Sequence, residues 1–198
     1  RAARAGQTEQ LALQAYARAE QDRQELEARL AEEQSGMLAA YRAAQSLDVS
    51  DPARLPEALL ALAVSTLKAK KCSFYRISDQ GLQVSAQHGW EAPEEFARHY
   101  APNAPLTRAL VEQKRAFCLL NAEDEPLLKG QGMLAGLVAD PRTGRMYGML
   151  KVEDIGFAQL YSRNVYLFSL CCEWAGRSFA LAVERRMLAG AAREKEKR

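Results

Sequence analysis

A chain of 198 residues that is 48% hydrophobic and 26% charged can build one core of about 100–150 residues plus an additional element, which excludes fibrous and disordered classes. A net charge of +2 supplies no electrostatic pull toward nucleic acid or anionic lipid, so no nucleic-acid partner is expected. Four cysteines without metal-type spacing, two of them adjacent at Cys171 and Cys172, fit a reducing cytoplasmic compartment better than a disulfide framework. No uninterrupted run of about 18 apolar residues is present to cross a bilayer. The chain opens on Arg1 rather than Met, as expected of a fragment whose upstream part, a membrane segment included, lies outside this sequence.

Residues 1–47 contain no proline, have glycine only at Gly6 and Gly36, and are dominated by Ala, Glu, Gln, Arg and Leu, so a long helix is expected there. A seam at three-four spacing runs through Ala12, Tyr16, Ala19, Arg23, Leu26, Leu30, Glu33, Met37, Ala40, Ala44 and Leu47, with Arg23 and Glu33 interrupting it. Glu25 and Arg29 are placed for a four-residue ion pair worth tenths of a kcal/mol. A solvated connector is the plain reading. A dimerising coiled coil is the sharper one, because a lone helix cannot bury its Tyr, Leu and Met face.

The globular part, residues 48–190, starts at Ser50-Asp51-Pro52, a helix start signal, and Leu55, Ala58, Leu59, Leu62, Ala63 and Leu67 then recur at helical spacing. Residues 72–77 and 82–88 read as two strands joined by Ser78-Asp79-Gln80-Gly81. Residues 89–105 are turn-rich, 106–113 form a short helix, 116–120 a central strand and 121–131 a polar loop. Two further apolar runs, 132–139 and 145–152, flank Asp140-Pro141-Arg142-Thr143-Gly144, a hairpin connection. Gly136 and Gly148 in these runs call for something packed close to the backbone. A closing helix follows over about 161–188, with Trp174 and one of Cys171 and Cys172 expected to face the core, and residues 191–198 form a charged tail.

This order of elements gives an α+β fold. It resembles the GAF domain, an antiparallel sheet of five to six strands with helices on one face and a ligand pocket on the other, over about residues 55–186. A narrower resemblance rests on Leu55-Pro56-Glu57-Ala58-Leu59, Cys72-Ser73-Phe74-Tyr75-Arg76, Gly148-Met149-Leu150-Lys151-Val152-Glu153 with Phe157, and Phe168-Ser169-Leu170-Cys171-Cys172-Glu173-Trp174-Ala175-Gly176. These words are similar to the GAF domain of PelD-like proteins, inner-membrane regulators of exopolysaccharide export that sense cyclic di-GMP. The resemblance implies a non-catalytic regulatory module in biofilm signalling, on the cytoplasmic side of the inner membrane. It would work as a homodimer through terminal helices, with other subunits of a membrane-associated exopolysaccharide machinery as partners. In that family the nucleotide is held by a degenerate GGDEF domain after the GAF domain, and no such domain is in this chain.

Several patterns invite chemistry. Arg76-Ile77-Ser78-Asp79 matches an Arg-x-x-Asp grip for cyclic di-GMP, yet it straddles a strand end and a hairpin turn, where Asp is a common turn former. One GAF lineage reduces free methionine sulfoxide with pocket cysteines, but Cys72, Cys118, Cys171 and Cys172 fall in predicted strands and the closing helix, where small core residues belong. A linear tetrapyrrole would need a cysteine with a nearby histidine, and neither His88 nor His99 has one; the residue set of the cyclic-nucleotide GAF domains is not matched at Phe117 and Asp124-Glu125. No cofactor, metal or catalytic residue is therefore expected. The alternative to a purely regulatory module is a small-ligand sensor. Its pocket walls would come from the loops, with Trp90, Phe96, Tyr100, Asn103, Asn121, Asp124 and Glu125 as candidates.

Overall fold

The computed structural model describes residues 2–45, 47, 51–92, 98–156, 160 and 162–196. It divides into two compact units, Arg1–Tyr41 and Arg42–Arg198.

The described residues of the first unit are helical and form the major part of α1 (Ala2–Gln45). The large apolar residues of the expected seam lie open in the single chain, Tyr16 at 72%, Leu26 at 60% and Leu30 at 50% exposed, whereas Ala40 and Ala44 near its end are buried. Arg23 leaves that seam to pair with Glu20 at 2.6 Å and Glu27 at 2.7 Å. The expected Glu25–Arg29 pair gives way to a hydrogen bond in which Gln21 donates to Glu25 at 3.4 Å.

In the second unit, Asp51 builds a turn before the first helix instead of capping it. Its carboxylate accepts from the Ala53 N–H at 3.0 Å, and its carbonyl from the Arg54 N–H at 3.1 Å. Helix α2 (Leu55–Leu67) then begins, with Pro56 in its first turn, where a missing N–H costs nothing. Ser50 of the expected start signal, and Phe157, lie outside the described residues. The remaining elements are β1 (Ala69–Ser78), β2 (Gly81–His88), β3 (His99–Tyr100), α3 (Pro105–Gln113), β4 (Phe117–Cys118), α4 (Glu125–Leu128), β5 (Leu134–Ala139), β6 (Met146–Ile155) and α5 (Ser162–Glu196).

The six strands form one antiparallel sheet in the order β3-β2-β1-β6-β5-β4. Two expectations change here. The strand expected over 116–120 shrinks to the two residues of β4 and sits at the sheet edge, and the loop expected over 121–131 contains α4, whose Leu128 is fully buried. Closing helix α5 runs on to Glu196.

Alternation along β1 and β6 sorts their residues between two faces. Phe74, Leu150 and Val152 point toward α2 and α5, where Phe168, Cys171, Cys172 and Phe179 complete an apolar layer; Phe74 and Phe179 stack at 5.4 Å. Gly136 makes this possible, because a Cβ there would fall 2.6 Å from the Cys172 sulfur and 2.8 Å from the Phe168 ring. Gly148 serves a different neighbour from the one expected. A side chain there would meet the Tyr75 carbonyl of adjacent β1, beside the bulge at Phe74/Tyr75, and not the helix. Both Cys171 and Cys172 are buried, whereas Trp174 is only half-buried, on the flank of α5.

The opposite face is covered as well. Tyr75, Leu82, Tyr100, Phe117 and Met149 pack with Leu106 and Leu110 of α3 and Leu128 of α4 into a second apolar cluster. Helices therefore lie on both faces, the two longest of this unit on one and the short α3 and α4 on the other.

Candidate functional site

Strand β6 is an inner strand, hydrogen-bonded to β1 on one side and β5 on the other, yet its sequence Met-Leu-Lys-Val-Glu places two charges two residues apart. Period-two geometry aims both at the α3 face. Lys151 is buried, with 2% of its side chain exposed, and Glu153 follows at 7%.

The cluster closes around the lysine. Its Nζ donates to the Tyr100 hydroxyl at 2.7 Å, lies 3.4 Å from Glu153 Oε1, and stands 5.5 Å and 5.2 Å from the ring centroids of Tyr75 and Tyr100. Those two rings meet edge to face at 5.2 Å. A cation against two aromatic faces, out of water, is a favourable arrangement. Gly81 brings Tyr100 into place: at φ 111° it has no side chain to block the Tyr100 carbonyl, which would lie 2.1 Å from a Cβ.

Ser73 stands opposite Lys151 in the β1–β6 register. Among the described residues, no well-formed hydrogen bond reaches the Ser73 hydroxyl or either carboxylate oxygen of Glu153. Burial pushes the Glu153 carboxyl above the ordinary glutamate range, and the opposing charge of Lys151 does not offset it. Burial likewise raises the Tyr75 hydroxyl far above the usual phenol value. The cluster thus combines aromatic walls with a buried lysine and the carboxylate it pairs with.

The residues expected at a site disperse over the molecule. Tyr100 joins the Lys151 cluster. Trp90 is half-buried in a surface groove of about 400 Å³ beside β2, with the Lys71 ammonium 4.5 Å from its ring centroid. Asp124 is buried and occupied structurally: Arg115 donates to its two oxygens at 2.9 and 2.6 Å, the Cys118 N–H donates at 3.1 Å, and Asn121 Nδ2 at 3.3 Å. Burial raises the Asp124 carboxyl, but these donors outweigh it and hold the group below its usual range. Glu125 is exposed and 4.0 Å from Lys129, Asn103 is exposed on a turn, and Phe96 lies outside the described residues.

Lys151, Glu153, Ser73 and Tyr75 of this cluster are not among the candidates expected from the sequence. The signal was available in β6, since two charges at i and i+2 within an apolar inner strand must share one buried face. Three cysteines are raised by their surroundings: burial pushes Cys72 up to about 12, with the Glu153 charge adding to it, and Cys171 to about 12. Cys172 is raised well above its ordinary value, first by burial and then by Cys171.

The family model of the GAF domain matches residues 51–184. The chain belongs to the GAF domain family. Among curated proteins no sequence matches it. Among solved structures it is similar to a PelD fragment from Pseudomonas aeruginosa PAO1, at 21% identity and a TM-score of 0.56, covering 79% of this chain and 53% of that one. A PelD fragment from strain PA14 in complex with c-di-GMP aligns at 19% identity and TM-score 0.51 over 75% of this chain and 50% of that one. The second GAF domain of DevS from Mycobacterium smegmatis aligns at 16% identity and TM-score 0.52, over 70% of this chain and 99% of that one. The chain thus spans about half the length of the PelD fragments, and these likenesses concern the fold. Among the described residues, no helix is long and apolar enough to cross a membrane.

Proposed function

We propose that this GAF domain is a non-catalytic regulatory module that forms a homodimer through its terminal helices and relays conformational signals to neighbouring domains. The setting is a cytoplasmic one, at a c-di-GMP-linked exopolysaccharide machinery of the Pel type. The observation that carries the reading is the apolar surface left open on the helices: Leu13, Tyr16, Leu26 and Leu30 on α1, and Leu181 and Leu188 on α5. Likeness to PelD supplies the exopolysaccharide setting. Light scattering at about 100 μM protein should give twice the chain mass, and Leu26→Glu with Leu30→Glu should return it to one. A monomer at that concentration overturns the reading.

A second reading, a small-ligand sensor, is favoured by the unused acceptor capacity of Glu153 and Ser73 beneath Tyr100. The ligand would be small, polar and rich in hydrogen-bond donors. Binding of such ligands in a calorimetric screen, abolished by Glu153→Gln in a variant that still folds, supports it; ligands that bind the variant equally well sink it.

A further inference from the structure

A surface groove of about 550 Å³ lies on the edge of the second unit, where the end of β1 and the start of β6 meet α5. Its floor is apolar, formed by Ile77, Tyr147, Phe179 and Val183, with Tyr147 and Phe179 stacked at 5.4 Å. Three arginines, Arg76, Arg145 and Arg186, stand around it, all exposed, and among the described residues no acidic residue lines it.

What sets these arginines apart is where they stand, together on the rim of one apolar groove. Arg23, Arg54, Arg115, Arg142 and Arg177 all pair with a carboxylate. Among the described residues none of the three groove arginines makes an ion pair; the Arg145 guanidinium only lies 5.7 Å from the Tyr147 ring centroid. The nearby carboxylates are engaged elsewhere, Glu184 and Asp140 both with Arg142. Three unmatched guanidinium groups around an apolar floor call for an occupant that is apolar on one side and anionic beside it.

The shape narrows the occupant. Phe179, Val183, Arg186 and Met187 follow one another at i, i+4, i+7 and i+8, so the groove runs along one face of α5 for about 12 Å, or two helical turns. Met187, 65% exposed, extends the apolar strip toward the free end of the helix. We infer that the groove docks an amphipathic helix of an acidic protein partner, its apolar stripe on Tyr147, Val183 and Met187 and its flanking carboxylates on the three arginines. A second copy using the same groove is disfavoured, since a symmetric contact would set arginines against arginines. Leu181 and Leu188, seven residues apart, occupy the opposite side of α5, so this contact leaves the proposed dimer seam free.

The test uses the full chain and a fluorescent helical peptide of about 20 residues, with leucines at i, i+3, i+4 and i+7 and glutamates beside them. Fluorescence anisotropy should give a Kd of about 10–100 μM. Affinity should fall at least about tenfold in the Arg76→Glu/Arg145→Glu/Arg186→Glu variant and in Val183→Glu, and should be unchanged in Arg108→Glu, an exposed arginine outside the groove. Melting temperatures close to the parent's would show that these surface variants fold. The inference is overturned if a peptide of equal charge with scrambled leucines binds as well, if the arginine reversals leave affinity intact, if no binding is seen, or if only anionic lipid vesicles are bound. Light scattering of the same variants separates this contact from dimerisation, which the arginine reversals should not disturb.

Discussion

Strands β1 and β6 give one residue to each face in turn, yet the two faces differ sharply. On the α2/α5 side, Phe74, Leu150, Val152, Phe168 and the three thiols of Cys72, Cys171 and Cys172 form a dry layer. On the α3 side, the same strands bury Ser73, Lys151 and Glu153 among Tyr75 and Tyr100. A dry apolar layer is stabilised by packing and burial alone, whereas a buried charge pair carries a desolvation cost that its mutual attraction only partly offsets. Both faces bury apolar side chains, and only the second sets a charge pair among them.

The sharpest break of the first face is Phe168→Ala. The ring is fully buried against Gly136, and its loss should cost about 3–5 kcal/mol in urea unfolding. The same packing should keep Cys171 and Cys172 slow toward a thiol reagent until the domain unfolds.

On the second face, Lys151→Met should cost about 3 kcal/mol at pH 8 by leaving Glu153 without its cation, and clearly less near pH 4. The sign follows from linkage. The folded-state value of Glu153 is raised, so its contribution is fully present below the unfolded value and is lost as pH rises through the folded one; removing Lys151 enlarges that loss. A cost independent of pH would contradict a buried, electrostatically coupled pair.

Asp124→Ala should cost about 2 kcal/mol, because it strips Arg115 and the Cys118 N–H of their acceptor. Its folded value is depressed, so the stabilisation is present above the unfolded value of about 4 and fades as pH falls through the folded one. Trp174→Ala should give the smallest effect, about 1–2 kcal/mol, since the indole is half-buried.

What the sequence disclosed follows the same division. The apolar face was legible: helical spacing in residues 55–67, the glycine at 136 and the apolar run from Phe168 to Phe179 each carry a period or a clearance that local physics explains. The hairpin at 140–144 was legible too. Asp140 accepts from the Arg142 N–H at 3.0 Å and from the Thr143 hydroxyl at 2.8 Å, as an Asp-led turn should. Elements too short to show a period were hidden: β3 and β4 have two residues each, and α4 has four. The orientation of Trp174 was misjudged because a wide apolar helix face has flanks as well as a centre. Site residues were sought in loops, the usual location, and the loops proved dispersed. The buried Lys151–Glu153 pair lies within a strand whose apolar character reads as core.

The most direct test of the buried polar face is a carboxyl-carbon NMR titration of Glu153 in the full chain and in Lys151→Met. The account predicts a Glu153 midpoint above those of the exposed glutamates, moving higher still when the lysine is removed. A Glu153 that titrates with the surface glutamates, and does not respond to Lys151→Met, would contradict it.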